Sequence, residues 1–367
     1  MKTTLWPYRL WGGKNWAVLA LIIMTSCSSR TTEIDIFSFE HEIALYPIKA
    51  EFHGKELIYP NSITIVDSTL ILIERSVSSG IVNVYSLHDF EIKNSFGVRG
   101  RGPDEFSDII QHIISITGSE TPSIHILDWI NKRLSDISID SSYTGQTQYT
   151  RQFILPPELM LVQRAAFLND TTVICMGGIY RGLMAFVDVN TDATKYIEVY
   201  PFKSNQISIR QMAEVYRGEF AINHKNQSIA VASKWIPEIL ITDFSGKIRK
   251  NTSFMEYNID NIALLSEDDR VLHYQDIKAT ENFIYAVYIG KSYNELLQVM
   301  DHSDNSSTPV ISEIHVFDWE GFPVTRYILN DGFYQFIEID KLNNRFFAID
   351  VSSPDRSIVY FNVDNNL

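Results

Sequence analysis

"PSIHILDWINKRLSDISID", Pro122 to Asp140, is two strand-like runs joined by a polar turn. Ile124 and Ile126 recur on one side of the first run, and Ile137 and Ile139 on one side of the second. This is the period-two pattern of half-buried strands. Asp, Asn and Lys fill the turn between them, as hairpins require. The first run has counterparts along the whole chain: "STLILIE" from Ser68, "TTVICMG" from Thr171, "QSIAVAS" from Gln227, "NFIYAVYIG" from Asn282 and "NRFFAID" from Asn344. They are spaced about fifty-five residues apart. Each is preceded by another strand-like run, and most are followed by a turn and a hairpin such as "LMAFVDVNTDATKYIEVY" or "EILITDFSGKIRKNTSF".

Four short antiparallel strands per unit, repeated six times, specify an all-β, six-bladed β-propeller. The sixth unit ends at "SIVYFNV" and lacks its outermost strand. "HEIALYPIKAEF", His41 to Phe52, is a strand without a unit. It is expected to pair antiparallel with Ser357–Val363, completing the last blade and closing the ring. "FGVRGRGPDEF", Phe96 to Phe106, then falls between blades 1 and 2. Gly97, Gly100 and Gly102 are expected to supply positive φ angles there, with Phe106 inserted between the blades. A phosphate cradle would need a following helix, whereas "SDIIQHIISI" alternates like a strand.

The turn residues carry a resemblance. Gly100, Gly102, Pro103, Glu105 and Phe106 resemble the connector of NHL-type propellers, and Asp128, Asn131 and Arg133 match its D-x-x-N-x-R pattern. Together with "SEIHVFDWEGFPVTRYIL" and "FYQFIEIDKLNNRFFAID", residues 40–367 resemble the TolB-like/NHL-like six-bladed propeller lipoproteins of Bacteroides-type bacteria. The resemblance implies the fold and an envelope location, and no established substrate.

The N-terminus agrees with that address. Lys2, Arg9 and Lys14 precede the short apolar run "WAVLALIIM", which is too short to span a bilayer. Cys27 follows Met24-Thr25-Ser26 like the lipidated cysteine of a lipobox. The expected organisation is a signal peptide over residues 1–26, a tether over 27–39 and the propeller over 40–367. The membrane is reached through the lipid on Cys27 alone, and Ser28 in the following position favours the outer membrane. Cleavage removes three cations and no acid, leaving 28 lysines and arginines against 45 carboxylates, a net charge of −17. Such a chain is repelled by nucleic acid. A monomer is expected. Cys175, in "TTVICMGG", reads as a core residue.

Catalytic motifs are incomplete. "HEIAL" lacks a second His, "GKS" at Gly290 lacks the glycine of a P-loop, and "DVNTD" at Asp188 lacks the glycine and terminal Glu of a calcium loop. No catalytic residue, metal ligand or cofactor is assigned. One constellation remains, in the turns between second and third strands. These hold Arg75; Trp129, Lys132 and Arg133; Tyr180 and Arg181; Lys234 and Trp235; Lys291 and Tyr293; and Arg356. Equivalent turns of a closed ring share a face, so these residues are expected around one mouth of the channel. Cations among aromatic rings suit an anionic or sugar-like ligand, a peptide or an envelope protein. The competing structural reading gives Arg133 and Arg356 to carboxylates of their own turns. A second functional reading is a metal-dependent hydrolase or lyase using the channel, with Glu74, Asp128 and Asp350 as candidate ligands for a divalent metal. An insertion, Gly290 to Ile311, contains "YNELLQVM", a short helix by pattern, and suits a lid, a partner contact or equally a tolerated surface insert.

Overall fold

The alternating runs pair as their pattern requires. In a computed structural model of the chain, residues 35–36, 38–53, 57, 59–74, 79–102, 105–116, 122–139, 146–197, 200, 206–300, 311–353 and 357–363 are described. They form six sheets. Blade 1 comprises Pro60–Val66, Thr69–Glu74, Ser79–Ser86 and Ile92–Arg99; blade 2 comprises Ile109–Ile116, Ser123–Asp128, Arg133–Ser138 and Gln148–Ile154. Blade 3 comprises Arg164–Phe167, Thr172–Met176, Met184–Asp188 and Thr194–Ile197; blade 4 comprises Gly218–Asn223, Ser228–Ser233, Glu238–Asp243 and Ile248–Ser253. Blade 5 comprises Val271–Ala279, Phe283–Ser292, Ser312–Asp318 and Pro323–Leu329. Blade 6 has Tyr334–Asp340, Arg345–Asp350 and Ile358–Asn362 as its own strands. Successive strands within each blade are antiparallel, and the blades follow one another in a ring: the innermost strands of blades 4, 5, 6, 1 and 2 pack side by side, and blade 3 joins blades 2 and 4 through contacts that include second strands.

The apolar faces meet between blades, so the core is a ring of layers. Ile71, Ile73, Phe96, Ile124 and Ile137 join blades 1 and 2. Leu127, Leu134, Val173 and Cys175 join blades 2 and 3. Leu70, Leu72, Tyr285, Phe346 and Phe347 join blades 5, 6 and 1. Cys175 is fully buried, and burial pushes its thiol pKa up.

The N-terminal strand completes blade 6 over a shorter length than the pattern predicts. Ile48–Lys49 pairs antiparallel with Val359 and Tyr360. Glu42–Leu45 instead adds in parallel to the outer strand of blade 5, and Asp35–Ile36 adds in parallel to that of blade 4. His53 then bridges to Glu91 of blade 1. Residues 35–36 and 38–53 therefore form a belt along the outer edges of blades 4, 5 and 6, reaching blade 1. Pro47 explains the break, because it has no N–H to continue a ladder.

Between blades 1 and 2, Phe106 is buried in the shared core layer, as expected. Of the three connector glycines only Gly97 has a positive φ, +85°. The other two serve a different purpose. The Glu105 side chain folds back over them and accepts a hydrogen bond from Gly102 N at 2.8 Å. A Cβ on Gly100 would lie 1.9 Å from a Glu105 carboxylate oxygen. Glu105–Phe106 also adds in parallel to Val98–Arg99.

The inserted segments form three helices, α1 (Ile209–Val215), α2 (Ile259–Leu264) and α3 (Tyr293–Met300). Helix α3 is the one expected from "YNELLQVM". Its start is fixed by a reciprocal pair: Ser292 N donates to Glu295 at 2.7 Å, and Glu295 N donates to Ser292 Oγ at 3.3 Å. No helix among the described residues is long and apolar enough to cross a membrane.

Candidate functional site

In a ring of antiparallel blades, the turns between second and third strands lie on the same face as the connectors between blades. Residues 129–132, 180–181, 234–235 and 291–293 all occupy such turns or their flanks. Arg75, Arg356 and Cys27 lie outside the described residues.

The side chains on this face are not equivalent. Arg133 is buried and engaged locally. It donates to Glu105 O and stands 3.7 Å from Asp128. Asp128 is the hub of its own turn, accepting from Ser107 N at 3.0 Å and Asn131 Nδ2 at 2.9 Å. The structural reading of Arg133 therefore holds. Arg181 is exposed, with its guanidinium 5.3 Å from the Tyr196 ring, and the Tyr180 ring is met by Arg210 at 5.9 Å. Lys291 pairs with Glu295 of its own loop at 3.6 Å. Trp129 is 37% exposed.

Lys132 and Lys234 stand apart. Lys132 is only 5% exposed; its Nζ donates to Val162 O at 3.2 Å and lies 4.6 Å from the Trp129 ring centroid. Lys234 Nζ lies 3.2 Å from Tyr293 Oη and 4.5 Å from the Trp235 ring centroid. Neither ammonium has a carboxylate within ion-pair distance among the described residues, and desolvation by burial lowers both pKa values to about 8. Trp235 is itself sealed in the core, and its Nε1 has no hydrogen-bond partner among the described residues.

Around Lys234 are residues that the sequence pattern did not single out. Arg164 and Glu219 form a two-point ion pair between the innermost strands of blades 3 and 4. Arg217 pairs with Glu267 across the connector before blade 5. The only sequence signal was position: Arg164 and Glu219 stand at or near the start of an innermost strand, directly after a connector. Glu219 and Glu267 thus pair directly with the neighbouring arginines, whereas they act on Lys234 only from beyond ion-pair distance.

Among the described residues, the acids of the innermost strands are already engaged. Lys278 stands between two of them, 3.7 Å from Asp276 and 3.9 Å from Glu338. Burial alone would lower the pKa of Lys278, yet these two acids hold it above its ordinary value. Thr64 donates to Glu338 at 3.0 Å, and Ile337 N donates to Asp276 at 3.1 Å. The three candidate ligands have other partners. Glu74 accepts from Asn83 Nδ2, Asp128 from its turn, and Asp350 from Phe333 N and Ser352. No three His, Cys, Asp or Glu side chains converge among the described residues. Asp188 of "DVNTD" caps a hairpin turn, accepting from Asn190 N, Thr191 N and Thr191 Oγ1.

The TolB-like 6-blade propeller-like family matches the chain over residues 42–340. Among solved structures, a member of the DUF4221 family from Bacteroides vulgatus superposes with a TM-score of 0.55 at 13% identity, covering 88% of this chain and 99% of that one. A putative exported protein from Bacteroides fragilis gives a TM-score of 0.54 at 11% identity, with the same coverage. No curated protein sequence matches the chain.

Proposed function

The chain belongs to the TolB-like six-bladed propeller family, and from that premise we propose that it is a binding propeller of the bacterial envelope, lipid-anchored through Cys27. It takes an anionic ligand, a carboxylated saccharide or acidic peptide, at the channel mouth around Lys234. The observation that carries this reading is the state of Lys234. An ammonium held between two aromatic rings, with no carboxylate in ion-pair distance among the described residues and beside paired arginines, leaves donors free for an incoming anion. The apolar leader before Cys27, and the fold shared with a putative exported protein, support the location.

Calorimetric titration with polygalacturonate tests the site. Affinity is expected to fall as salt rises, because partly exposed charges are screened beyond about 8 Å at physiological ionic strength. Lys234→Met is expected to weaken binding at least tenfold with an unchanged melting temperature. Equal affinity in the variant would remove the mouth as the site. The anchor is tested separately. Cys27→Ser should move the protein from the membrane fraction to the soluble fraction of the producing bacterium, and its retention in the membrane would refute lipidation.

A further inference from the structure

A cavity lies where the outer strand of blade 2 leads towards blade 3. Its volume is about 550 Å³, within the range that holds small organic ligands. Ile130, Ile154, Leu155 and Met160 form apolar walls, and Lys132 also lines it. Ile130, Ile154 and Met160 are at least half exposed. Glu158 and Asp192 line it too, and both are exposed. The buried charged member of the lining is thus a cation, and the exposed charged members are acids.

We propose that this cavity binds a monocarboxylate with an apolar body, its carboxylate on the Lys132 ammonium and its body against Ile130, Ile154 and Met160. Three features argue for it. First, an ammonium has three N–H donors. Val162 O takes one and the Trp129 ring faces the charge, which leaves donor capacity for a ligand. Second, a buried charge without a counter-ion is costly, and a carboxylate supplied from outside removes that cost. No carboxylate among the described residues lies within ion-pair distance of Lys132, and desolvation by burial is what lowers its pKa. Third, Ile154 and Met160, 69% and 52% exposed, present apolar surface beside that cation, which suits an amphipathic molecule better than a sugar. The acids at the exposed side select further. A second carboxylate at the far end of the ligand would meet Glu158 or Asp192.

Decanoate is the probe, with decanol and the dicarboxylate sebacate as comparisons, measured by calorimetry on the full-length protein. Saturable decanoate binding is expected, at least tenfold tighter than decanol or sebacate. Lys132→Met should remove the preference for decanoate over decanol. Ile154→Asp, at an exposed position where folding is not at stake, should abolish decanoate binding. The proposal is overturned if decanoate does not saturate below 1 mM, if decanol binds equally well, or if either variant binds decanoate as the unaltered protein does. Should Lys132→Met fail to fold, the decanol comparison and Ile154→Asp decide the matter alone.

Discussion

Glu238 opens the third strand of blade 4, fully buried, with the Tyr257 hydroxyl donating to its carboxylate. Burial pushes its pKa up to about 7, from an ordinary value of 4.5. A raised carboxyl pKa means that the folded protein holds the proton more tightly than the unfolded chain. The stabilisation is complete below about pH 4.5 and is lost as pH rises to about 7, beyond which nothing further changes. The span corresponds to about 3 kcal/mol. Glu238→Gln keeps an acceptor for Tyr257 and has no proton to lose. The difference in unfolding free energy between the two proteins should therefore shift by that amount in favour of the variant between pH 4.5 and 7. Parallel stability curves would show that Glu238 does not ionise in this range. Lys234 has its own pH window. With a pKa near 8 it is charged at pH 7 and mostly neutral at pH 9. Anion affinity at the mouth should drop about tenfold between those values, and a flat profile would exclude Lys234 as the binding cation. Neither environment was legible in the sequence. Glu238 reads there as one acid in an alternating strand, and Tyr257, its partner, lies beyond the next strand.

Turns and connectors were the most legible elements, because their chemistry is local. Asp128 organises its turn through Asn131 and Arg133, all within five positions. The same D-x-x-N-x-R spacing occurs at Asp340, Asn343 and Arg345, where Asp340 accepts from Asn343 Nδ2 at 2.8 Å and Arg345 Nε at 2.6 Å. That copy joins the first and second strands of blade 6, not the second and third. The connector glycines show the limit of reading by residue type. Gly97 is required by its backbone; Gly100 and Gly102 make room for Glu105. Gly97→Ala should therefore cost about 1–2 kcal/mol, since its φ is strained for any side chain and the new Cβ would lie 3.4 Å from the Phe106 ring. Gly102→Ala should cost less, because a flexible carboxylate side chain is all that must shift. Urea midpoints of the two variants give the order, and the reverse order would refute this division of roles.

At the scale of the whole ring, repetition made the fold legible and hid the site. Six recurrences of a strand pattern specify six blades, but contacts across blades join residues far apart in sequence, as Lys234 with Tyr293 and Arg164 with Glu219 do. The belt is the same problem in larger form. Alternation marks 41–52 as a strand without naming its neighbours, and the structure distributes 35–36 and 38–53 over four blades. This distribution sets a graded expectation for truncation. A chain beginning at residue 41 loses the addition to blade 4 and the packing of Phe39 on His315 and Phe317. A chain beginning at residue 54 also loses the addition to blade 5, the outer strand of blade 6, the bridge to blade 1 and the buried Leu45 and Ala50. Burial of one leucine alone contributes about 1.5–3 kcal/mol, and each kcal/mol moves the melting temperature of a mid-sized domain by roughly 2–4 °C. The shorter truncation should melt a few degrees lower. The longer one should fall by considerably more than about 5 °C, and should associate with increasing concentration as Ile358–Asn362 of blade 6 becomes an open edge. Light scattering and thermal melts on both chains measure this. If the chain beginning at residue 54 stays monomeric and melts with the chain beginning at 41, blade 6 does not need the belt and the ring is closed by its innermost strands alone.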